Sequence, residues 1–241
     1  MDAQYYKEMA ALQEEHWWYE GRRQILASII DGLKLSDNAN ILEAGCGPGA
    51  NLTMLQTFGA VSAVEPEEFA AKYASDLSGL NVKTGFLPEP FPFDGPFNLI
   101  GAFDVIEHID DDVGALKALH TRSADNGCAV FTVPAHQWLW SKHDDINHHK
   151  RRYSRAQFKT ALESAGYNVE KISYYNMWLF PLAVAVRHLK KALGKEDESD
   201  VQMPSPVVNK ILKSLFASEK HLLKFINLPF GLSIIAVCRK T

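Results

Sequence analysis

The chain has 241 residues, 46% of them hydrophobic and 22% charged, and its 25 Lys+Arg against 29 Asp+Glu leave a formal charge of −4. That length supports one good-sized α/β domain with its own core, and those proportions exclude a disordered chain, a collagen and a basic nucleic-acid binder. Cys46, Cys128 and Cys238 are odd in number and share no C-x-x-C spacing, which points to a reducing compartment rather than a disulfide framework or a zinc ribbon.

Residues 1–8 are polar and acidic, without the basic and apolar stretches of a secretory leader, so the chain is expected in the cytoplasm. Ile25, Leu26, Ile29, Ile30 and Leu33 recur at helical spacing, predicting a helical region over most of residues 4–33. Beyond it, short apolar runs at 40–44, 61–64, 81–83, 97–103, 128–133 and 169–174 alternate with helix-length stretches at 51–57, 111–123 and 154–165. Such alternation predicts a doubly wound α/β fold, a parallel sheet with helices on both faces. Residues 176–230 break the rhythm. Their apolar run at 177–186 is ten residues long and contains Pro181, too short for a membrane span of roughly 20. An acidic tract at 196–200 follows, then a helix with the stripe Val207, Val208, Ile211, Leu212, Leu215 and Phe216. A run at 232–237 supplies the last strand. A single domain is expected, with a helical cap at 1–33, a cofactor-binding core at 34–175, a helical lid at 176–230 and the final strand at 231–241.

Residues 40–52 read as a buried strand, a glycine-rich turn and the start of a helix, with Gly45, Gly47 and Gly49 letting backbone approach a ligand where a Cβ would collide. The next strand ends in Glu65, twenty residues past Gly45, where a carboxylate accepts both hydroxyls of a ribose. Gly45, Gly47 and Ala50 satisfy the permissive dinucleotide pattern G-x-G-x-x-A, so a nicotinamide-dependent oxidoreductase and a non-catalytic cofactor-binding module stay as alternatives. Pro48 weighs against a dinucleotide, because it removes an N–H that a pyrophosphate uses. S-adenosylmethionine has no phosphate.

An acidic residue followed by G-x-G-x-G (Glu43 to Gly49), then Gly85-Phe86-Leu87-Pro88, then Asp104-Val105-Ile106-Glu107-His108 follow one another in an order and spacing that resemble the class I S-adenosylmethionine-dependent methyltransferases over residues 40–175. The resemblance implies that Gly45, Gly47 and Gly49, with Glu43 ahead of them, border the methionine part of the cofactor and that Glu65 holds the ribose. It implies that Phe86 and Leu87 flank the adenine and that Asp104, Val105 and His108 line the floor where the methyl group is presented. It further implies a seven-stranded, Rossmann-like sheet whose last strand, here 231–239, is antiparallel.

Two further clusters stand out. From Glu14 to Arg23, aromatic and basic residues interleave, in a pattern similar to the H-x-W-x-x-x-R-R opening of a subset of these methyltransferases. A sulfonium is attracted to aromatic faces and an arginine pairs with a carboxylate, so Tyr19 and Arg23 are cofactor candidates; the alternative is that Trp17 and Trp18 anchor a helix on the sheet. Residues 134–153 form a loop rich in His, Trp and Arg. Three readings of it stay open: substrate contact through His143, Asp144, His149, Arg152 and Tyr153, a surface loop tied by its own ion pairs, and a metal site from His143, Asp144 and His148. The last has no firm ligand spacing, so no metal is assigned.

The implied reaction is in-line methyl transfer to an oxygen or nitrogen of a small, possibly apolar acceptor. Alignment dominates it, at roughly 7 to 11 kcal/mol. His136 and His143 are the candidate bases, since imidazole titrates near neutrality. Between Arg187 and Lys224, eight Lys+Arg accompany five acidic residues on apolar stripes. A lid or a dimer face is expected there, with peripheral membrane contact as the lesser alternative. Whether the chain is a monomer or a homodimer stays open. The net charge argues against a nucleic-acid partner.

Overall fold

The computed structural model describes residues 10, 12–192 and 203–240; the expected helix at 4–9 and the acidic tract at 196–200 lie outside them. The strands are β1 (Asn40–Ala44), β2 (Ala60–Glu65), β3 (Lys83–Thr84), β4 (Phe97–Phe103), β5 (Ser123–Pro134), β6 (Tyr167–Tyr175) and β7 (Ser233–Lys240). They form one seven-stranded sheet in the order β3-β2-β1-β4-β5-β7-β6. The pairs β1–β2, β1–β4, β2–β3 and β4–β5 are parallel, and β7 enters antiparallel between β5 and β6. The expected doubly wound sheet with a reversed last strand is therefore present.

The helices are α1 (Trp17–Gly32), α2 (Leu52–Gln56), α3 (Glu68–Ser78), α4 (Asp112–Arg122), α5 (Lys142–Ile146), α6 (Arg155–Ser164), α7 (Phe180–Ala192) and α8 (Pro206–Leu223). Strands covered on both faces read as continuous apolar runs, and successive side chains divide between the two layers. Leu42, Ile100, Phe131 and Ile234 face α4 and α6 through Leu116, Leu119, Phe158 and Leu162. Ile41, Leu99, Val130 and Ile235 face α1 and α8 through Ile25, Leu26, Ile30 and Phe216.

The segment 176–230 divides in two. α8 starts at Ser205 with Pro206 in its first turn, where the missing N–H has no intrahelical partner to lose. It lies along α1: a Cβ on Gly21 would come within 2.6 Å of Phe216, Lys213 Nζ reaches Glu20 at 2.8 Å, and Asn209 Oδ1 accepts the Trp17 N–H at 2.8 Å. Trp17 packs edge-on against Phe216 at 5.9 Å, so this tryptophan does anchor the helix. The fully buried Glu219 of α8 accepts the backbone N–H groups of Asn176, Met177 and Trp178 at 2.7, 2.7 and 3.0 Å, fixing the turn from β6 into α7. Of the predicted stripe, Val207 and Ile211 are exposed while Phe216 is buried, so the buried face is narrower than the apolar one. Among the described residues, no helix is long and apolar enough to cross a membrane.

Candidate active site

A cavity of about 1050 Å³ opens beyond the carboxyl ends of β1, β2 and β4, the position that open α/β sheets use for ligands. One end is built by the glycine turn. Gly45, Gly47 and Gly49 all have positive φ (71°, 55° and 91°). A Cβ on Gly45 would strike Val105 at 2.6 Å, whereas one on Gly47 would meet no atom within 4 Å and would project where a ligand approaches the turn. Gly49 is not part of the cavity wall. Its Cβ would lie 2.9 Å from that of Ala74, so the third glycine serves to bring the turn against α3.

Glu65 ends β2 on the cavity wall, its carboxylate accepting the Gly47 N–H at 2.8 Å and the Glu67 N–H at 3.2 Å. Phe86 and Leu87 line the same end, with Phe86 half exposed at the rim. Glu43 stands behind the turn and off the cavity wall. It accepts from Asn51 Nδ2 at 2.7 Å, and burial raises its carboxyl to about 7 against the opposing effects of Asn51 and Arg22.

At the end of β4, Asp104, Val105 and His108 line the floor. Asp104 holds the left-handed conformation at φ 58°, a strained geometry for a residue with a Cβ, and ion-pairs with Arg22. The Arg22 guanidinium lies 4.4 Å from the Trp18 ring centroid. Tyr19 lines the cavity beside them, and Arg22 Nε is a buried donor without a protein partner. Arg23, the arginine expected here, turns outward and donates to the carbonyls of Gln13 and Glu14 at 2.6 and 3.1 Å. The two lie about 100° apart around the helix, and the inward face carries Arg22 with Ile25 and Ile29.

The other end of the cavity is built by the 134–153 loop and α7. Asp144 is fully buried. Arg152 donates to both its oxygens at 2.7 and 3.0 Å, His149 Nδ1 lies 2.8 Å from Oδ1, and the Ser141 N–H reaches Oδ2 at 2.8 Å. Burial opposes ionisation of Asp144, but the bonds from His149 and Arg152 outweigh it and hold the carboxyl well below its usual range. The turn after α5 explains how His149 gets there. His148 is left-handed at φ 55°, its N–H bonds to the Asp145 carbonyl at 3.1 Å, and the His149 N–H bonds to the Asp144 carbonyl at 2.9 Å. This is the Schellman pattern that reverses a chain at a helix end.

His143 lines the cavity, with Nε2 at 3.2 Å from Asn147 Nδ2. His136 is off the wall: at φ 63° its ring stacks on Tyr174 at 5.0 Å, beside Trp138 and Phe180. Tyr153 donates to Asp112 Oδ2 at 2.7 Å, a brace between loop and helix. The trio His143, Asp144 and His148 does not form a metal site, since Arg152, His149 and Ser141 engage the Asp144 oxygens. Instead Glu107, His108 and His149 converge, with ligand atoms all within 4.8 Å of one another. Burial and the neighbouring His149 push His108 down to about 4. Burial, together with the charge of Asp104, raises Glu107 well above the carboxylate range. Arg22 and the grouping of Glu107 with His149 were not singled out from the sequence.

These residues fit S-adenosylmethionine. The open face at Gly47 admits an approaching ligand, the oriented Glu65 carboxylate suits a diol, and the unpartnered Arg22 Nε suits a carboxylate. Residues 17–172 match the methyltransferase-domain family. The chain belongs to that family, and its cofactor is S-adenosylmethionine, which sets the nicotinamide alternative aside.

Three solved structures illustrate the likeness of fold. A phosphoethanolamine N-methyltransferase from Haemonchus contortus, in complex with S-adenosyl-L-methionine, superposes with a TM-score of 0.60 at 14% identity, over 90% of this chain and 52% of that one. An S-adenosylmethionine-dependent methyltransferase from Mesorhizobium loti gives 0.60 at 13% identity, over 88% and 96%. A TehB-like methyltransferase from Corynebacterium glutamicum gives 0.58 at 17% identity, over 99% and 96%. No curated protein matches the chain.

Proposed function

We propose that the protein methylates an oxygen or nitrogen of a small, partly apolar acceptor seated between the glycine turn and α7. The observation that carries this reading is the two-ended cavity. Its volume of about 1050 Å³ reaches the upper end of the roughly 300–1,000 Å³ typical of ligand pockets, so it has room for a nucleoside cofactor and a modest acceptor together. Leu179, Leu182, Ala183 and Val186 give the acceptor end an apolar wall, while His143, His149 and Arg187 supply polar groups. A net charge of −4 disfavours a polyanionic acceptor.

When bound, the cofactor supplies an activated methyl group whose sulfur leaves without acid assistance. The chain's part is to bind, orient and exclude water. In this reading Gly45 and Gly47 admit the methionine moiety, Gly49 and Glu43 hold the turn in shape, and Glu65 takes the ribose hydroxyls. Phe86 and Leu87 flank the adenine, Arg22 with Tyr19 holds the cofactor's carboxylate end, and Asp104, Val105 and His108 form the floor. His143 is the cavity histidine that takes a proton from the acceptor at its imidazole. Base catalysis contributes roughly 10²–10⁴-fold, less than alignment, so His143→Ala lowers turnover without abolishing it.

Thermal melting with each ligand at one common concentration, 100 times the dissociation constant of S-adenosylmethionine, tests the cofactor end, since a ligand at that ratio adds about 2.7 kcal/mol of stability. S-adenosylmethionine and S-adenosylhomocysteine are expected to raise the midpoint and NAD to leave it unchanged; the reverse result overturns the reading. Incubation with methyl-labelled cofactor and a fractionated whole-cell extract, small molecules and macromolecules both, then identifies the acceptor. A label found only in macromolecules would overturn the acceptor class.

A further inference from the structure

We propose that Glu107, His108 and His149 form a binding site for one divalent transition-metal ion at the acceptor end of the cavity. Their ligand atoms already lie within 4.8 Å of one another, and all three residues line the cavity. Donors that share an ion at about 2.0–2.2 Å must come closer than this, a gap that side-chain rotation closes.

The carboxylate is what singles the cluster out. Glu107 is fully buried, and neither of its oxygens has a hydrogen-bond partner in the protein. Buried carboxylates are ordinarily satisfied by donors, pairs or metals. Here two imidazoles lie within 4.8 Å of it, and their rings meet edge-on at 4.6 Å. The other charged groups that act on Glu107 are already paired with each other or elsewhere, Asp104 with Arg22 and Arg152 with Asp144.

The surroundings are those of a ligand histidine. Asp144 engages His149 Nδ1 at 2.8 Å, and Asp144 is itself held by Arg152 at 2.7 Å. A carboxylate on one ring nitrogen fixes the tautomer and turns the other nitrogen outward, the arrangement seen behind metal-bound histidines. Two imidazoles and one carboxylate suit zinc, iron(II), cobalt(II) or manganese(II), whereas magnesium and calcium prefer oxygen ligands throughout. Three protein ligands would leave coordination positions open to a further ligand, and all three residues line the cavity. The site stands on this geometry alone; that an acceptor oxygen occupies an open position rests on the methyltransferase reading.

Cobalt(II) is the probe. The untagged full chain is stripped with EDTA, dialysed, and titrated with cobalt(II) while visible absorption and equilibrium dialysis report ligand field and stoichiometry. One ion per chain is expected, with the spectrum of a nitrogen-ligated site. His149→Gln and His108→Asn are expected to weaken binding by tenfold or more, and His148→Ala, adjacent but outside the cluster, to leave it unchanged. Circular dichroism and melting check that each variant folds, and Glu107→Gln supplies a third ligand change if either histidine variant does not. Failure of the wild-type chain to bind cobalt(II) stoichiometrically overturns the proposal, as does binding that persists in the folded ligand variants. Binding of S-adenosylmethionine to the stripped chain is read separately, so loss of the metal site and loss of the methyltransferase reading give different results.

Discussion

Glu43→Gln isolates one buried charge behind the glycine turn. In the folded chain the Glu43 carboxyl is raised from 4.5 to about 7, chiefly by burial, with only 1% of the residue exposed. Folding therefore favours the protonated form. Between pH 4.5 and 7 the unfolded chain releases this proton first, so stability falls as pH rises through that window and the loss is complete above about pH 7. At 1.36 kcal/mol per pKa unit the loss amounts to about 3 kcal/mol. Glutamine keeps an oxygen for Asn51 Nδ2, which now donates at 2.7 Å. Its NH₂ group replaces the other carboxylate oxygen, which lacks a donor, as does Asn51 Oδ1. Midpoints of wild type and variant are measured by calorimetry at pH 5 and pH 8. The advantage of the variant should grow between the two by about 2.5 kcal/mol, or roughly 5–10 °C at about 2–4 °C per kcal/mol for a domain of this size. Other titrating groups are common to both proteins and cancel in the difference. Parallel midpoint curves across this range would refute the reasoning.

Two contrasts test the rest of the site, and one further substitution tests the turn behind it. Gly47→Ala is expected to cost only about 1–2 kcal/mol for its positive φ, yet to weaken S-adenosylmethionine tenfold or more. Gly45→Ala adds the clash with Val105 and is expected to cost about 3 kcal/mol; urea unfolding and cofactor titration together separate the two. Arg22→Met leaves Asp104 unpaired and is expected to cost about 3–5 kcal/mol, against about 1 kcal/mol for Arg23→Met, which loses bonds to the Gln13 and Glu14 carbonyls and leaves no charge unpaired in the cavity. Glu219→Leu strips the acceptor from three backbone amides and is expected to cost on the order of 3 kcal/mol in urea; a loss under about 0.5 kcal/mol would show that the turn into α7 does not depend on this carboxylate.

The sheet was legible because its central strands are buried on both faces, which forces β1, β4 and the stretch of β5 from Cys128 onward to be nearly uninterrupted apolar runs, whereas the polar start of β5 at 123–127 carried no such signal. β3 is weaker evidence in any sequence: two exposed residues, Lys83 and Thr84, paired with β2 at the sheet edge, and the apolar run that suggested it sits slightly upstream. α5 left no periodic signal because five residues make little more than one turn, and it is fixed by the Ser141 and Asp144 capping box rather than by an apolar face. The stripe of α8 was visible, but which part of it is buried was set by α1. Gly21 is where Phe216 enters, so inward residues follow that contact and Val207 and Ile211 stay outside.

The same distinction runs through the site. Residues on the glycine turn and at strand ends were readable because a strand end fixes where its side chain goes: Gly45, Gly47, Glu65, Asp104 and Val105 all reach the cavity wall. Residues on helices and loops were readable only as neighbourhoods. An Arg-Arg pair announces a charge near the cavity, but the rotation of α1 on the sheet decides that Arg22 enters and Arg23 leaves. The histidines at 143, 148 and 149 announce polar chemistry, but their roles depend on one backbone reversal. Glycine usually marks that reversal; here His148 adopts it at φ 55°, against an intrinsic cost of about 1–2 kcal/mol. With no glycine at 148 the turn has no sequence signature, yet it is what carries His149 back onto Asp144 and beside Glu107 and His108. His148→Gly should therefore preserve the His149 to Asp144 contact while relieving strain.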